Sequence, residues 1–209
     1  SSAATYGDGA QGFSDDPALI PGLRPLNMYG YSKQLFDLWL LREGLEGSVA
    51  SLKFFNVYGP NEYHKGPMQS VVVKAFHQIG ETGRLRLFRA DVPGLADGEQ
   101  KRDFVYVKDC AALMVWLLAE AGIGGIFNVG TGQARSFNDL GRAVFAAMGR
   151  ECCIEYVDMP ENLRGKYQNY TCAEMARLLA TGCPVRFCSL EDGVHDYVCT
   201  HLATMDAYL

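Results

Sequence analysis

The sequence predicts an α/β fold built around a parallel sheet. The alternation of elements points there, and the composition allows a core for it. Short runs rich in β-branched and aromatic residues alternate along the chain with longer runs of helical period. The 209 residues are 48% hydrophobic and 21% charged, which suffices for one substantial core or two small ones.

The elements follow in chain order. The opening "SSAATYG" is small and hydroxyl-bearing and reads as a strand end running into a turn. "YGYSKQLFDLWLLREG" at 29–44 has Leu35, Leu38 and Leu41 at helical spacing and Gly44 as its stop. "SVASLKFFNVYG" at 48–59 reads as one buried strand entering a turn. "RADVPGLADGEQK" at 89–101 mixes Gly, Pro and Asp without period and is a loop. "RDFVYVKD" is a strand, and "KDCAALMVWLLAEAG" is a helix with Asp109 as its expected cap. "GGIFNVGTG" is a third strand. "SFNDLGRAVFAAMG" is a helix capped by Ser136 and stopped by Gly149. The chain closes on a helix from Ser189, which stands three residues before Asp192 in capping-box spacing.

The formal charge of −5 gives no basic face for nucleic acid or anionic membrane. An anionic small ligand would need a local cationic pocket. The seven cysteines are odd in number and lack a CxxC. They read as reduced, mostly buried thiols of a cytoplasmic protein rather than a disulfide framework or a zinc site. The longest apolar run, around "CAALMVWLLAEAG", is too short to span a bilayer.

One pair of residues carries chemistry. Tyr29 and Lys33 are four apart, so a helix puts them on one face. A phenol becomes a useful base at neutral pH when a cation favours its phenolate. A lysine one helical turn away supplies that cation. No glycine-rich pyrophosphate turn accompanies the pair. "GIGG" at 122–125 precedes a strand, and "GTGQARS" lacks the last spaced glycine.

The order "SSAATYG", "YGYSK", "FFNVYGP" resembles the extended short-chain dehydrogenase/reductases that act on nucleotide sugars. With "NEYHKGPM", "KRDFVYVKD", "GIFNVGTGQARSF" and "GKYQNYT" added, the chain is similar to the ADP-L-glycero-D-manno-heptose 6-epimerase family along nearly its whole length. The resemblance implies the C-terminal part of a Rossmann-type doubly wound parallel sheet with a smaller α/β substrate-binding domain. Residues 1–60 and 101–130 would be the remnant of the NADP-binding domain. Residues 61–100 and 131–209 would form the nucleotide-sugar domain. It also places residue 1 after the family's glycine-rich half, so the chain reads as the back portion of a longer enzyme.

The same resemblance implies the roles. Ser2, Tyr29 and Lys65 are catalytic, with Tyr29 and Lys65 as acid/base groups around one sugar carbon. Lys33, Val57, Lys65 and Tyr29 contact NADP. Ser2, Asn56, Phe88, Arg102 and Tyr167 contact the substrate, Arg102 through its diphosphate. Thr5 is a further candidate hydroxyl, and His64 an alternative proton carrier beside Lys65. Pro67 and Lys74 depart from the family's common Ser and His. The implied reaction is epimerisation of ADP-D-glycero-D-manno-heptose at C6 through a transient 6-keto sugar, in lipopolysaccharide core synthesis. The implied assembly is a cytoplasmic homo-oligomer. Two other readings stand beside it. One is a different NAD(P)-dependent nucleotide-sugar epimerase or dehydratase, although Ala3, Ala4 and Thr5 occupy the positions of the dehydratases' acidic pair. The other is an inactive fragment or binding module.

Overall fold

The computed structural model describes residues 1–161 and 168–204. After a 3₁₀ turn at Ala3–Tyr6, the helices and strands in chain order are α1 (Met28–Arg42), β1 (Ala50–Phe54), β2 (Asn56–Tyr58), α2 (Val71–Thr82), β3 (Leu85–Phe88), β4 (Lys101–Tyr106), α3 (Val107–Ala119), β5 (Gly125–Val129), β6 (Ala134–Ser136), α4 (Phe137–Ala147), β7 (Ile154–Val157), α5 (Ala176–Ala180) and α6 (Leu190–Asp196). The predicted α/β class holds. β1 pairs with β5, β2 with β4 and β3 with β7, all parallel, while β6 runs antiparallel to β4. Ser2 bridges to Phe54 in parallel fashion, which sets the N-terminal segment beside β1.

The 48–59 run is not one strand. Phe55 ends the pairing with β5 through its N–H to the Val129 carbonyl (3.0 Å). Its ring is buried and packs near Tyr6 and Phe13. From Asn56 onward the chain pairs with β4 instead. This crossover between two sheets opens a cleft at the carboxyl end of β1, where ligands collect in α/β folds.

Helix α1 forms as its sequence dictates. The Asn27 side chain accepts from the Gly30 N–H (2.9 Å), and Gly44 lies at φ +63° just beyond the end. Its buried row is Gly30, Gln34, Asp37 and Leu40, and Leu35 is exposed. A Cβ at Gly30 would meet the Ala4 carbonyl oxygen at 2.7 Å, so only glycine lets α1 approach the N-terminal turn this closely. On α3 the expected cap is corrected. The helix starts directly from β4 at Val107, and Asp109 sits within its first turn. The Asp109 carboxylate instead accepts the Cys188 N–H (2.9 Å). Ser136 and Asp139 form the complete capping box of α4, and Ser189 caps α6, which continues into a π-helical turn at Tyr197–Leu202.

One apolar core gathers α2, α4 and α6 against β3 and β4, with Val72, Ile79, Leu140, Val144 and Tyr197 at its centre. A second packs Leu113 of α3 and Leu178 of α5 against β1, β4 and β5. The cysteines depart from expectation. Cys110 is buried, but Cys152, Cys153 and Cys199 are exposed and the other three lie between. No helix among the described residues is long and apolar enough to cross a membrane.

Asp196 ties α6 to the start of α3. It accepts from the Tyr106 hydroxyl (2.6 Å) and the Lys108 ammonium (2.7 Å). Burial works against its charge, but the hydrogen bonds from Lys108, Tyr106 and Thr200 prevail and hold its carboxyl at about 2. A depressed folded pKa means stability that is present above the ordinary 3.8 and is lost as pH falls through about 2. Asp196→Asn should therefore flatten the acid limb of a urea-midpoint-versus-pH curve in that window. An unchanged limb would contradict this.

Candidate active site

Separate segments of the chain converge on one cavity. Ser2 caps the N-terminal 3₁₀ turn, its Oγ accepting the Ala4 N–H (3.2 Å). Tyr29 stands in the first turn of α1. Asn56 and Val57 begin β2, where the chain crosses between sheets. Lys65 lies on the 3₁₀ segment Tyr63–Met68. Together with Arg102 of β4, these residues line a cavity of ≈ 530 Å³. The hydroxyl, phenol, carboxamide and two cations expected from sequence thus share one space.

Lys33 stands outside this lining. Its Nζ lies 5.4 Å from the centroid of the Tyr29 ring, one turn further along α1, so the expected shared face exists. Arg102 is 6% exposed, stacks on the Phe137 ring at 5.6 Å and donates to the backbone carbonyls of Lys101 (2.8 Å) and Gln168. The neighbouring Asp103 carboxylate is taken by the N–H groups of Thr131, Gly132 and Ala173 and by the Thr131 hydroxyl. Phe88 is not in this cavity. It lines an adjoining one of ≈ 280 Å³ with Lys74 and Gln100, and Val71 and Phe137 belong to both walls. Gln100, at the end of the long 89–101 loop, is buried there and donates to the Arg89 carbonyl (3.1 Å). Lys74 donates to the Pro67 carbonyl (2.6 Å). Tyr167 lies outside the described residues.

Two sequence candidates are set aside. Thr5 is fully buried and committed: its hydroxyl donates to the Ser2 carbonyl (2.9 Å) and accepts from Lys53 (2.8 Å). His64 is exposed and outside the cavity lining.

Sequence reasoning missed two groups. Lys53 and Asp37 form a completely buried ion pair at 2.6 Å. Burial pushes the Lys53 pKa below the usual lysine value, with Asp37 pulling against it. Asp37 also accepts from the Ser1 hydroxyl (2.7 Å). The pair therefore binds the N-terminal turn, α1 and β1 to one another through Ser1 and Thr5. The signal was present: Lys53 interrupts an apolar strand, and Asp37 continues the four-residue row from Tyr29 and Lys33. The second missed group is Glu62, buried in the cavity wall.

The cavity wall thus offers a phenol, a hydroxyl and an amine able to exchange protons, with the Arg102 guanidinium beside them. Of the residues that the sequence resemblance assigns to the nicotinamide end, Tyr29 and Val57 line this cavity, and Lys33 reaches it only through its contact with the Tyr29 ring. The Gly130–Gly132 turn is not a phosphate cradle, because the Asp103 carboxylate already fills its N–H groups.

Residues 1–130 match the model of the NAD dependent epimerase/dehydratase family. The chain belongs to that family. It is 65% identical over 209 residues to the ADP-L-glycero-D-manno-heptose-6-epimerase of Nitratidesulfovibrio vulgaris (strain DP4), covering 100% of this chain and 65% of that protein. The enzyme of the same name from Fusobacterium nucleatum subsp. nucleatum is 45% identical over 218 residues, 100% of this chain and 66% of that one. The chain thus spans about two thirds of the length of these curated relatives. Among solved structures, the Helicobacter pylori ADP-L-glycero-D-manno-heptose-6-epimerase superposes with a TM-score of 0.74 at 28% identity, over 95% of this chain and 57% of that one. The Thermus thermophilus UDP-glucose 4-epimerase in complex with NAD gives 0.70 at 27% identity, over 94% and 61%. The Rossmann-type α/β arrangement is common to this family's members and this chain.

Proposed function

We propose that the protein carrying this chain epimerises ADP-D-glycero-D-manno-heptose to ADP-L-glycero-D-manno-heptose at C6, in lipopolysaccharide core synthesis. The single observation that carries the reading is the cavity where Ser2, Tyr29, Asn56, Lys65 and Arg102 meet. The 65%-identical relative of that name supports the choice of substrate. Residues 1–60 and 101–130 serve the cofactor, and 61–100 with 131–209 serve the sugar nucleotide. The cofactor is NADP, held at its nicotinamide end by Tyr29, Lys33, Val57 and Lys65. When bound, it supplies reversible oxidation of the sugar carbinol, so net redox is zero.

The chain's own residues supply the rest. Arg102 and Asn56 orient the diphosphate and sugar, which fixes the reacting carbon between the two acid/base groups. Tyr29 removes the C6 hydroxyl proton as the carbon is oxidised, with Ser2 steadying the oxygen. Lys65 supplies a proton to that oxygen when the ketone is reduced on its other face, and the reverse reaction exchanges the two roles. Phe88 and Tyr167 contact the nucleotide and sugar. The enzyme works in the cytoplasm as a homo-oligomer.

The test uses the protein of the complete reading frame with ADP-D-glycero-D-manno-heptose, following both epimers by NMR. Epimerisation is expected, with turnover reduced roughly 10²- to 10⁴-fold in Lys65→Met. Absence of epimerisation by the wild-type protein would overturn the reading.

A further inference from the structure

Glu62 is charged by nature and 4% exposed, in the wall of the catalytic cavity. The groups that donate to its carboxylate are neutral. Oε2 accepts the Ser70 N–H (2.5 Å). Oε1 accepts the Ser70 hydroxyl (2.7 Å), the Tyr197 hydroxyl (3.1 Å) and the Gly59 N–H (3.4 Å). Gly59 and Ser70 are the two ends of the segment that carries Lys65. One carboxylate therefore closes that segment into a loop and fastens it to the helical turn that follows α6.

The backbone of the same residue continues the restraint. The Glu62 carbonyl accepts the Lys65 N–H (3.0 Å). Asn61, immediately before it, turns the chain at φ +68°, a left-handed value that asparagine adopts more readily than other residues with a side chain. From Tyr63 to Met68 no side chain is fully buried, and Tyr63 alone packs half-buried against the core. Burial and then the Glu62 charge push the Tyr197 phenol well above its usual pKa, which keeps it a donor.

We propose that Glu62 is the positioning residue for Lys65, setting the amine's place in the cavity by clamping both ends of its loop. This rests on the acid/base reading of Lys65 given above. A buried carboxylate is costly unless it is fully hydrogen-bonded. Four donors satisfy this one, and they come from three separate places in the chain. An apolar residue would fill the same volume but close no loop. A displacement of about 1 Å in a catalytic group can cost about 10²-fold in rate, so a mobile Lys65 would be a poor acid/base group.

The experiment uses the complete protein with Glu62→Gln and Tyr197→Phe. An amide in place of the carboxylate must set its NH₂ against either the Ser70 N–H or the Gly59 N–H, whichever way it turns, whereas Tyr197→Phe removes only one donor. Amide exchange at Ser70 and Lys65 should quicken about tenfold in Glu62→Gln while that of α4 stays unchanged. Turnover should fall roughly 10- to 100-fold with the Kd for ADP unchanged, and Tyr197→Phe should fall less. In a Lys65→Met background, Glu62→Gln should cause no further loss, since its effect acts through Lys65. Unaltered turnover in Glu62→Gln beside an impaired Lys65→Met protein would overturn the positioning role alone. So would a loss that persists in the Lys65→Met background. Wild-type turnover in Lys65→Met would instead remove the functional reading beneath it.

Discussion

Tyr29→Phe is expected to cut turnover roughly 10²- to 10⁴-fold while leaving stability within about 0.5 kcal/mol of wild type. The two halves of that expectation have separate causes. The Tyr29 side chain is 57% exposed, and its ring contact to Lys33 survives in phenylalanine. Nothing in the core depends on its hydroxyl. The side chain instead lines the cavity that holds Ser2 and Lys65. On the proposed mechanism, removing the hydroxyl deletes a proton carrier and little else. Turnover and urea midpoint measured on the same preparation check both. A Tyr29→Phe protein with wild-type turnover would remove Tyr29 from the chemistry.

Lys53→Met should have the opposite signature. It leaves the Asp37 carboxylate without its cation in a fully buried site, at a cost of about 3–5 kcal/mol. Domains of this size are stable by only about 5–15 kcal/mol, so the variant should lie close to unfolding at ordinary assay temperatures. The Ser1 hydroxyl would still donate to Asp37, which softens the loss without cancelling it. The double variant Lys53→Met with Asp37→Leu removes both charges and should recover most of the stability, because a buried pair contributes little beyond what apolar packing can supply. Urea denaturation of the three proteins decides the matter. A loss below about 1 kcal/mol in Lys53→Met would show that the pair does not hold the N-terminal turn, α1 and β1 together.

Much of the fold was legible because its signals are local. The Ser136 cap, the Ser189 cap and the Gly44 stop depend on neighbours within one helical turn, and all three stand where the sequence puts them. The misreadings are long-range. The break at Phe55 comes from a ring buried against Tyr6 and Phe13, far upstream in the chain, and no strand periodicity records that. Asp109 looks like a cap until Cys188 is seen to occupy its carboxylate. The exposed cysteines at 152 and 153 sit just before β7, where residue type alone would have buried them.

The candidate site divides in the same way. Tyr29 and Lys33 were readable from a four-residue spacing on one helix. The meeting of Ser2, Tyr29, Asn56, Lys65 and Arg102 required a resemblance to a family, because each lies on a different stretch of chain and only the sheet crossover brings them together. Thr5 was a reasonable candidate hydroxyl by type, and only its bonds to Ser2 and Lys53 show it to be structural. Phe88 was assigned by motif position, yet the wall made by Val71 and Phe137 puts it in the adjoining cavity. Glu62 left a weaker mark: an acid beside the "YHK" run looks like surface until its burial and its donors are seen.

The measurement that bears most directly on all of this is a crystal structure of the complete protein bound to an ADP-sugar. The Tyr29 hydroxyl and the Lys65 amine are expected within about 3.5 Å of groups on the same sugar carbon, on different sides of it. A sugar seated elsewhere, with only one of those two residues in reach of the reacting carbon, would contradict the mechanism.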